Sequence, residues 1–226
     1  MGTRAKPPSG RRPRGADAAG REHLLDAAIA LFAQRGIANT TVAQIAAAGK
    51  VTSAMVHYWF ETRDKLLDAV VAERLAPIIG GVWDPVGRES GALDAVRGLL
   101  TRMLDVTQKF PYVPALWLRE IVQEGGALRE RVLEHLPRER IAAFRRTVTR
   151  AQARRDIPRD ISPDLLFISI LALVMLPQAT ARIWREVNPS VTVDRAHLER
   201  HVTALVMQGL ASESAPRAAK PRRKAA

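Results

Sequence analysis

Residues 21–67 have the sequence REHLLDAAIALFAQRGIANTTVAQIAAAGKVTSAMVHYWFETRDKLL and contain several short helical patterns in succession. The first runs from Leu24 to Phe32, where apolar residues recur at three- and four-residue spacings and so share one helix face. Gly36 follows this run and predicts its end, because glycine readily takes the left-handed conformation that closes a helix. The stretch therefore begins with an amphipathic helix and a tight turn.

Three further helices are predicted, each preceded by a threonine that can cap its N-terminus. Thr41 begins a T-x-x-Q capping box, so the second helix should start near Val42. Thr52 can cap a third helix that runs to about Trp59, and Thr62 can cap a fourth over about 62–76. A helix, a tight turn and a second short helix form a helix-turn-helix, whose second helix enters the major groove of DNA.

This stretch resembles the DNA-binding domain of the TetR family of bacterial transcriptional regulators. Four segments carry the resemblance, in the family's order and spacing: AAIALFAQRG (27–36), TTVAQIAAAGKVT (40–52), VHYWF (56–60) and TRDKLL (62–67). The resemblance implies an all-α protein. Its N-terminal domain would be a three-helix helix-turn-helix, and a C-terminal helical domain would bind a ligand and dimerise.

The chain departs from the family pattern at five positions. Lys50 stands where the family usually has the turn glycine, and Gly49 stands where it usually has alanine. A non-glycine residue in a left-handed conformation costs about 1 kcal/mol, so we expect a turn that is strained or re-formed around Gly49. His57 and Trp59 replace the usual tyrosine and histidine but keep hydrogen-bond donors, and Arg63 replaces lysine but keeps a cation.

The DNA contacts are predicted from these assignments. The third helix begins with Ser53, Ala54 and Met55, which we expect at base edges: Met55 or Ala54 would suit a thymine methyl, and Ser53 can donate or accept. Phosphates are held by hydroxyls, cations and helix N-termini. The residues predicted for that role are Thr41, Lys50, Thr52 and Arg63, and those predicted to bind phosphate or flank the groove are His57, Tyr58 and Trp59.

Charge and composition divide the chain. The net charge is +12, and residues 1–20 and 211–226 each carry +4. Both ends are rich in Pro, Ala and Arg without apolar periodicity, which predicts disordered basic tails at 1–16 and 211–226. A DNA-binding domain at 17–67 and a helical domain at 68–210 lie between them. The tails would add salt-sensitive affinity for DNA, or would only aid solubility.

Several function classes find no support in the sequence. The absence of cysteine excludes disulfides, thiolate metal sites and cysteine catalysis. The sequence has no GxSxG, GxxxxGK or GxGxxG motif, so we expect neither an enzyme nor a cofactor. No signal peptide is evident, and the longest apolar run, Leu165–Leu176, is too short for a bilayer, which predicts a cytoplasmic protein without membrane contact. His197 and His201 have the spacing of two metal ligands, but packing or surface roles are the simpler interpretation.

The C-terminal domain is predicted to be helical throughout. Ser162-Pro163-Asp164 is a strong helix start, with a cap, a first-turn proline and an acid near the positive helix end. The predicted helices are Ala92–Lys109, Pro114–Gln123, Leu128–Arg154 with a break at Pro137, 163–186 and Val193–Leu210.

The last two helices are the predicted dimer interface, as the resemblance implies. Helix 163–186 is too apolar for a solvated surface, so it needs burial on more than one side. The final helix carries a stripe with Leu198, Val202 and Leu205. An ordinary monomeric core is the alternative explanation for this pattern.

A ligand pocket between the middle helices is also implied by the resemblance. The candidate apolar lining is Met103, Trp117, Ile121, Phe144, Phe167 and Met175, and the candidate polar anchors are Arg119, Glu120, Glu124 and Gln178. Such a mixture favours a small, mostly apolar inducer. At helical spacing, the same residues could form plain core and a solvated face.

These patterns predict a ligand-responsive transcriptional repressor that binds a palindromic operator as a homodimer and is released by a small molecule. A DNA-binding regulator without a ligand is the first alternative, and a pocket of several hundred Å³ with a few polar groups would argue against it. A helical enzyme or adaptor with a coincidental helix-turn-helix is the second.

Overall fold

The computed structural model describes residues 14–84, 89–190 and 194–211, and every regular element among them is a helix. The helices are α1 Arg14–Arg35, α2 Val42–Ala48, α3 Ser53–Phe60, α4 Arg63–Val70, α5 Ala76–Trp83, α6 Ala92–Lys109, α7 Val113–Trp117, α8 Arg129–Glu134, α9 Arg138–Ala153, α10 Pro163–Ala179, α11 Ala181–Val187 and α12 Arg195–Leu210. A π-helical turn at Val71–Leu75 joins α4 to α5, and a second at Leu118–Val122 extends α7. The predicted all-α fold is confirmed.

The predicted starts of the second, third and fourth helices are confirmed by their caps, whereas the fourth helix, predicted over about 62–76, is divided into α4 and the π-helical turn at Val71–Leu75. Gly36 follows α1 with φ +82°. Thr41 and Gln44 form both bonds of the capping box. The hydroxyls of Thr52 and Thr62 accept backbone N–H groups of α3 and α4. Helix α1 begins at Arg14, so residues 14–16 of the predicted disordered tail are helical, and the tail residues 1–13 and 212–226 lie outside the described residues.

The core of the N-terminal domain is shared with the C-terminal domain. Leu24 and Phe32 of α1 pack with residues of α2, α3 and α4 in one buried cluster. The same cluster includes Leu116, Ile121, Leu128 and Val132 from the C-terminal domain. Because one apolar cluster crosses the boundary, the helix-turn-helix cannot shift without repacking residues around α7 and α8.

Helix α6 lies at the centre of the C-terminal domain, where it contacts α5, α9, α10 and α12. Three aromatic side chains fill the space beside it. The rings of Trp83 and Phe144 meet edge-on with centroids 6.2 Å apart, and Phe167 lies 4.7 Å from Trp83. These packed rings fix the position of α5, which carries Trp83, against α9 and α10.

The predicted helix 163–186 is wrong in one respect, because the structure has two helices there, α10 and α11, that meet at a 59° bend. Pro177 has no N–H and cannot donate to the carbonyl one turn earlier, which weakens the end of α10. The Thr180 hydroxyl instead bonds the Leu176 carbonyl at 2.7 Å. The helix ends at Ala179 and a new one begins at Ala181.

The other predicted boundaries in this domain differ little from the structure. The break at Pro137 is confirmed, since α8 ends at Glu134 and α9 begins at Arg138. The last helix starts at Arg195 rather than Val193, because the Asp194 carboxylate accepts the His197 N–H at 2.7 Å and caps it there.

In the described parts of the chain, no single helix has the length and apolar composition to cross a membrane. Only α10 and α11 taken together, across their bend, meet those two criteria.

Gly126 supports the end of the π-helical turn at Leu118–Val122. A Cβ atom at Gly126 would lie 2.4 Å from the carbonyl oxygen of Glu120, which accepts the Leu128 N–H at 3.1 Å. Backbone atoms cannot yield as a flexible side chain can, so only glycine fits.

We therefore expect Gly126→Ala to lower the free energy of unfolding by about 1–3 kcal/mol, the usual cost of overpacking. Gly80→Ala is the matched control, because a Cβ there meets no atom within 4 Å in the middle of a helix; it should be neutral or slightly stabilising. Urea unfolding of both variants measures the difference, and equal stabilities would contradict the packing described.

Candidate DNA-binding surface and effector cavity

Helix α3 presents one face to solvent and buries the other. Val56 and Phe60 are buried against α1 and α4, whereas Ser53 and Ala54 are exposed and Met55 is half-buried. On the outer face His57 is exposed, and the side chain of Tyr58 is 72% exposed. The residues predicted for base contact thus lie together at the free N-terminal end of the helix.

The turn before α3 is strained rather than re-formed. Lys50 has φ +55°, a left-handed conformation that side chains disfavour, and Gly49 has φ −78°. Gly49 is needed for a different reason: a Cβ there would lie 2.5 Å from Cδ1 of Leu24, a fully buried residue of α1. Lys50 is exposed beside Thr52, with its side chain in solvent.

Two predicted phosphate contacts are already engaged within the chain. The Trp59 indole N–H donates to Asp17 at 3.1 Å, and the ring packs over Gly20 of α1. Arg63 is half-buried, and its guanidinium donates to the carbonyl of Ile37 in the turn after α1. Both side chains position α3 and α4 against α1 in this structure. Thr41 remains exposed at the start of α2, where its hydroxyl serves the capping box.

A buried carboxylate joins the C-terminal domain to the helix-turn-helix. Glu120, in the π-helical turn after α7, is only 6% exposed, and its Oε1 accepts the N–H of Ile37 at 3.0 Å. The approach is close because Gly36 lacks a Cβ, which would lie 3.4 Å from that oxygen and 3.2 Å from Cδ of Arg119. Arg119 also donates to the carbonyl of Ala33 at 3.3 Å.

Ion pairs hold α1 to the helix that continues from α4. Arg21 makes two bonds of 2.6 Å to Glu73, and Arg74 bonds Glu22 and Asp26 at 2.6 Å each. The hydrogen bond from Arg21 lowers the pKa of Glu73 and raises that of Arg21. The contribution of this pair to folding is thus complete above the unfolded pKa of a glutamate and is lost as the pH falls through the lowered value.

An apolar cavity of about 120 Å³ lies inside the C-terminal domain. Five residues predicted for the pocket line it: Met103, Trp117, Ile121, Phe167 and Met175. Sequence reasoning missed the wall formed by α5, which includes Ile78, Val82 and Trp83. The apolar run from Ile78 to Trp83 was the available signal, but the fourth helix was expected to end near residue 76.

The structure places the other residues predicted for the pocket away from this cavity, with their side chains packed or hydrogen-bonded elsewhere or exposed. Phe144 is 1% exposed and packs behind Trp83. Glu120 faces Ile37, and Glu124 is exposed on the surface. Gln178 donates to the Thr107 hydroxyl at 2.9 Å and the Val174 carbonyl at 2.8 Å, so it ties α10 to α6.

The predicted dimer stripe on α12 is also corrected. Leu198 and Val202 are buried in the chain's own core beside α6, and only Leu205, which is 50% exposed, is accessible. The outward apolar residues lie mainly on α10 and α11 instead: Leu165, Ile168, Leu176, Ile183, Trp184 and Val187. His197 and His201 are exposed, and no three potential ligands converge on a metal site within the described ranges.

Comparison with known proteins identifies the N-terminal segment. Residues 24–70, from α1 to the end of α4, match the family model described as bacterial regulatory proteins of the tetR family. This segment of the chain is therefore similar to that family's domain.

Curated proteins that resemble this chain are named as transcriptional regulators. The chain is 31% identical over 98 residues to the HTH-type transcriptional regulator BetI of Brucella anthropi, which covers 43% of this chain and 50% of that protein. It is 24% identical to the HTH-type transcriptional repressor KstR2 of Rhodococcus jostii, over 85% of this chain and 91% of that one. These relatives are regulators rather than enzymes.

The fold of the chain has solved counterparts. The ketosteroid transcriptional regulator KstR2 of Mycobacterium tuberculosis superposes with a TM-score of 0.66 at 19% identity, over 85% of this chain and 95% of that chain. The C-terminal helical domain is therefore built like those of TetR-family structures, as the resemblance implied.

Substitutions at Lys50 can separate the effect of its strained backbone on stability from the effect of its positive charge on DNA binding. Lys50→Gly should relieve the left-handed strain and stabilise the protein by up to about 1 kcal/mol, which raises Tm by about 2–4 °C at this size. Lys50→Ala keeps the strain and is the matched control. Both variants lose the cation, so DNA affinity should fall for all sequences and the salt slope should drop by about one.

Thermal unfolding and DNA titration at several salt concentrations make the comparison. An equal Tm for the two variants would contradict the strain, and an unchanged salt slope in both would remove Lys50 from the phosphate contacts.

Proposed function

We propose that this chain is a dimeric repressor that binds an inverted-repeat operator and is released when a small apolar molecule occupies the internal cavity. One observation carries the proposal. Trp117 and Ile121 line the cavity, and between them Arg119 bonds Ala33 near the end of α1 and Glu120 bonds Ile37 in the turn after α1. A single short segment thus touches both the effector space and the DNA-binding domain.

Helix α3 would lie in the major groove with Ser53, Ala54 and Met55 at base edges. The exposed N-terminal end of α3 supports this role. Lys50, Thr41 and Thr52 would hold phosphates on either side, and His57 and Tyr58 would flank the groove. Trp59 and Arg63 would act indirectly, by holding α3 and α4 in the orientation that the groove requires.

A second copy of the chain would cover the outward face of α10 and α11. Helix α10 is apolar on both its inner and its outer face. On the inner face Ile170 and Val174 are fully buried, and on the outer face Leu165 and Ile168 are 59% and 56% exposed. Contiguous exposed apolar side chains of this kind mark association surfaces. A two-fold dimer also presents two recognition helices to half-sites about one helical turn apart.

The cavity would act through Glu120. A ligand that displaces Trp117 or Ile121 would also shift Glu120, because Glu120 lies between them in the same short segment. Loss of its bond to Ile37 would leave a buried N–H unsatisfied, which costs about 1–3 kcal/mol. The alternative arrangement of the turn would reposition α1 and α2, and a ligand that prefers this arrangement would lower operator affinity.

The size of the cavity favours one competing function, a DNA-binding regulator without a small-molecule ligand. Ligand pockets usually enclose about 300–1,000 Å³, and this cavity has about 120 Å³ with an almost wholly apolar wall. The proposed repressor therefore requires the cavity to expand when occupied, whereas the competing regulator does not.

The dimer is tested by placing a charge on the proposed interface. Ile168→Glu on α10 should shift the protein to monomers, because a buried unpaired charge is costly, and should weaken operator binding without touching α3. Leu133→Glu is the matched control, since Leu133 is 42% exposed on α8, away from α10 and α11. Analytical ultracentrifugation gives the result, and an Ile168→Glu dimer as stable as the control would exclude this surface.

The coupling is tested with 1-octanol as an apolar probe of the cavity. Operator DNA should weaken 1-octanol binding by the same factor as 1-octanol weakens operator binding. Glu120→Ala should reduce that factor toward one while both ligands still bind, and Glu120→Gln, which keeps an acceptor for the Ile37 N–H, should restore it.

Fluorescence titration with and without operator duplex measures the factor. No binding of the probe, or a factor of one in the wild type, would favour the regulator without a ligand. An undiminished factor in Glu120→Ala would show that the coupling does not pass through this bond.

A further inference from the structure

An open cleft of about 480 Å³ lies beside the internal cavity, between α5 and α6. Ile78, Val82 and Val106 line both spaces. One layer of apolar side chains therefore lies between the cleft, which is open to solvent, and the internal cavity. If these side chains move, the two spaces become one site with an apolar inner end and a polar mouth.

The charged groups in the mouth are almost all neutralised within the chain. Arg74 pairs with Asp26, and Asp105 pairs with Arg195 at 2.7 Å. Glu73 pairs with Arg21, and Arg102 bonds Glu89 at 3.3 Å and the Val82 carbonyl at 2.7 Å. Among the described residues, the remaining charge in the cleft lining is therefore positive and belongs to Lys109.

Lys109 is the lining residue with no acidic partner in the described part of the chain. It is exposed at the end of α6, and its Nζ lies 5.2 Å from the centroid of the Phe110 ring. Tyr112 lines the same end of the cleft with its ring tilted against Phe110. Burial raises the pKa of Tyr112, so its hydroxyl stays protonated and can donate. An ammonium and a phenol donor together suit a carboxylate.

The wall between the two spaces is built on a helix that can yield. Ile78 and Val82 belong to α5, which follows the π-helical turn at Val71–Leu75 and contains Gly80 and Gly81. Each interior glycine lowers helix stability by about 1 kcal/mol relative to alanine. No atom lies within 4 Å of the position that a Cβ would take at either glycine, so neither is required for close packing. Both glycines therefore lower the intrinsic helix stability of α5 without contributing to its packing.

We propose that the cleft and the cavity form one site for an amphiphilic carboxylate, with its hydrocarbon chain inside and its carboxylate on Lys109 and Tyr112. This inference rests on the proposed function, because it assigns a ligand class to the same cavity. It also provides the expansion that the small cavity requires, since the hydrocarbon chain of the ligand would enter by displacing the side chains of Ile78 and Val82. The displaced helix α5 is continuous with Glu73 and Arg74, which pair with α1.

The experiment compares three probes of equal chain length on the intact protein: octanoate, its methyl ester and 1-octanol. Trp83 and Trp117 line the internal cavity, so their fluorescence reports entry of the probe's hydrocarbon chain. Octanoate should bind at least tenfold more tightly than either neutral probe. In Lys109→Met, which keeps an unbranched side chain of similar length, this preference should disappear while the neutral probes bind as before.

Two controls separate charge at this site from charge in general. Lys109→Arg should keep the preference for octanoate. Lys65 of α4 is a cation that pairs with Glu61 and lies away from the cleft. Lys65→Met should therefore leave the preference for octanoate unchanged.

The outcomes distinguish this inference from the proposed function. Equal affinity for all three probes, or an octanoate preference that survives Lys109→Met, overturns the carboxylate site while leaving an apolar effector possible. If none of the three probes binds the wild-type protein, both the carboxylate site and the proposed effector control are overturned.

Discussion

The structure depends on one buried hydrogen bond between domains, from the Ile37 N–H to the carboxylate of Glu120. Ile37 lies in the turn that sets the angle between α1 and α2, and Arg63 of α4 donates to its carbonyl. The peptide groups of one residue thus bind the C-terminal domain on one side and α4 on the other. Because an unsatisfied buried N–H costs about 1–3 kcal/mol, the turn and the π-helical segment must move together.

The other interdomain contacts reinforce this connection. Leu116 and Ile121 complete the apolar core of the N-terminal domain. Arg131 of α8 bonds Asp64 and Asp68 of α4, on a more exposed part of the boundary. Exposed ion pairs contribute little individually, so the apolar cluster supplies most of the attachment. The hydrogen bond from Ile37 to Glu120 is directional, so it orients the turn relative to the C-terminal domain.

Local signals predicted the N-terminal domain well, and tertiary packing limited the prediction elsewhere. Caps at Thr41, Thr52 and Thr62 depend on neighbouring residues, so their positions followed from sequence. The roles of Trp59 and Glu120 depend on partners, Asp17 and Ile37, that are distant along the chain, and no spacing rule identifies such partners. The same limit explains the stripe of α12, where periodicity located an apolar face but could not say whether α6 or a second copy covers it.

The most direct measurement of the central claim is amide hydrogen exchange at Ile37, followed by NMR in the free protein and with a molecule bound in the internal cavity. Exchange at a buried, bonded amide requires local opening and is slow. The account predicts strong protection of the Ile37 amide in the free protein, and a marked loss of protection when 1-octanol binds. Unchanged protection of this amide in the bound protein would contradict the proposed connection between the cavity and the helix-turn-helix.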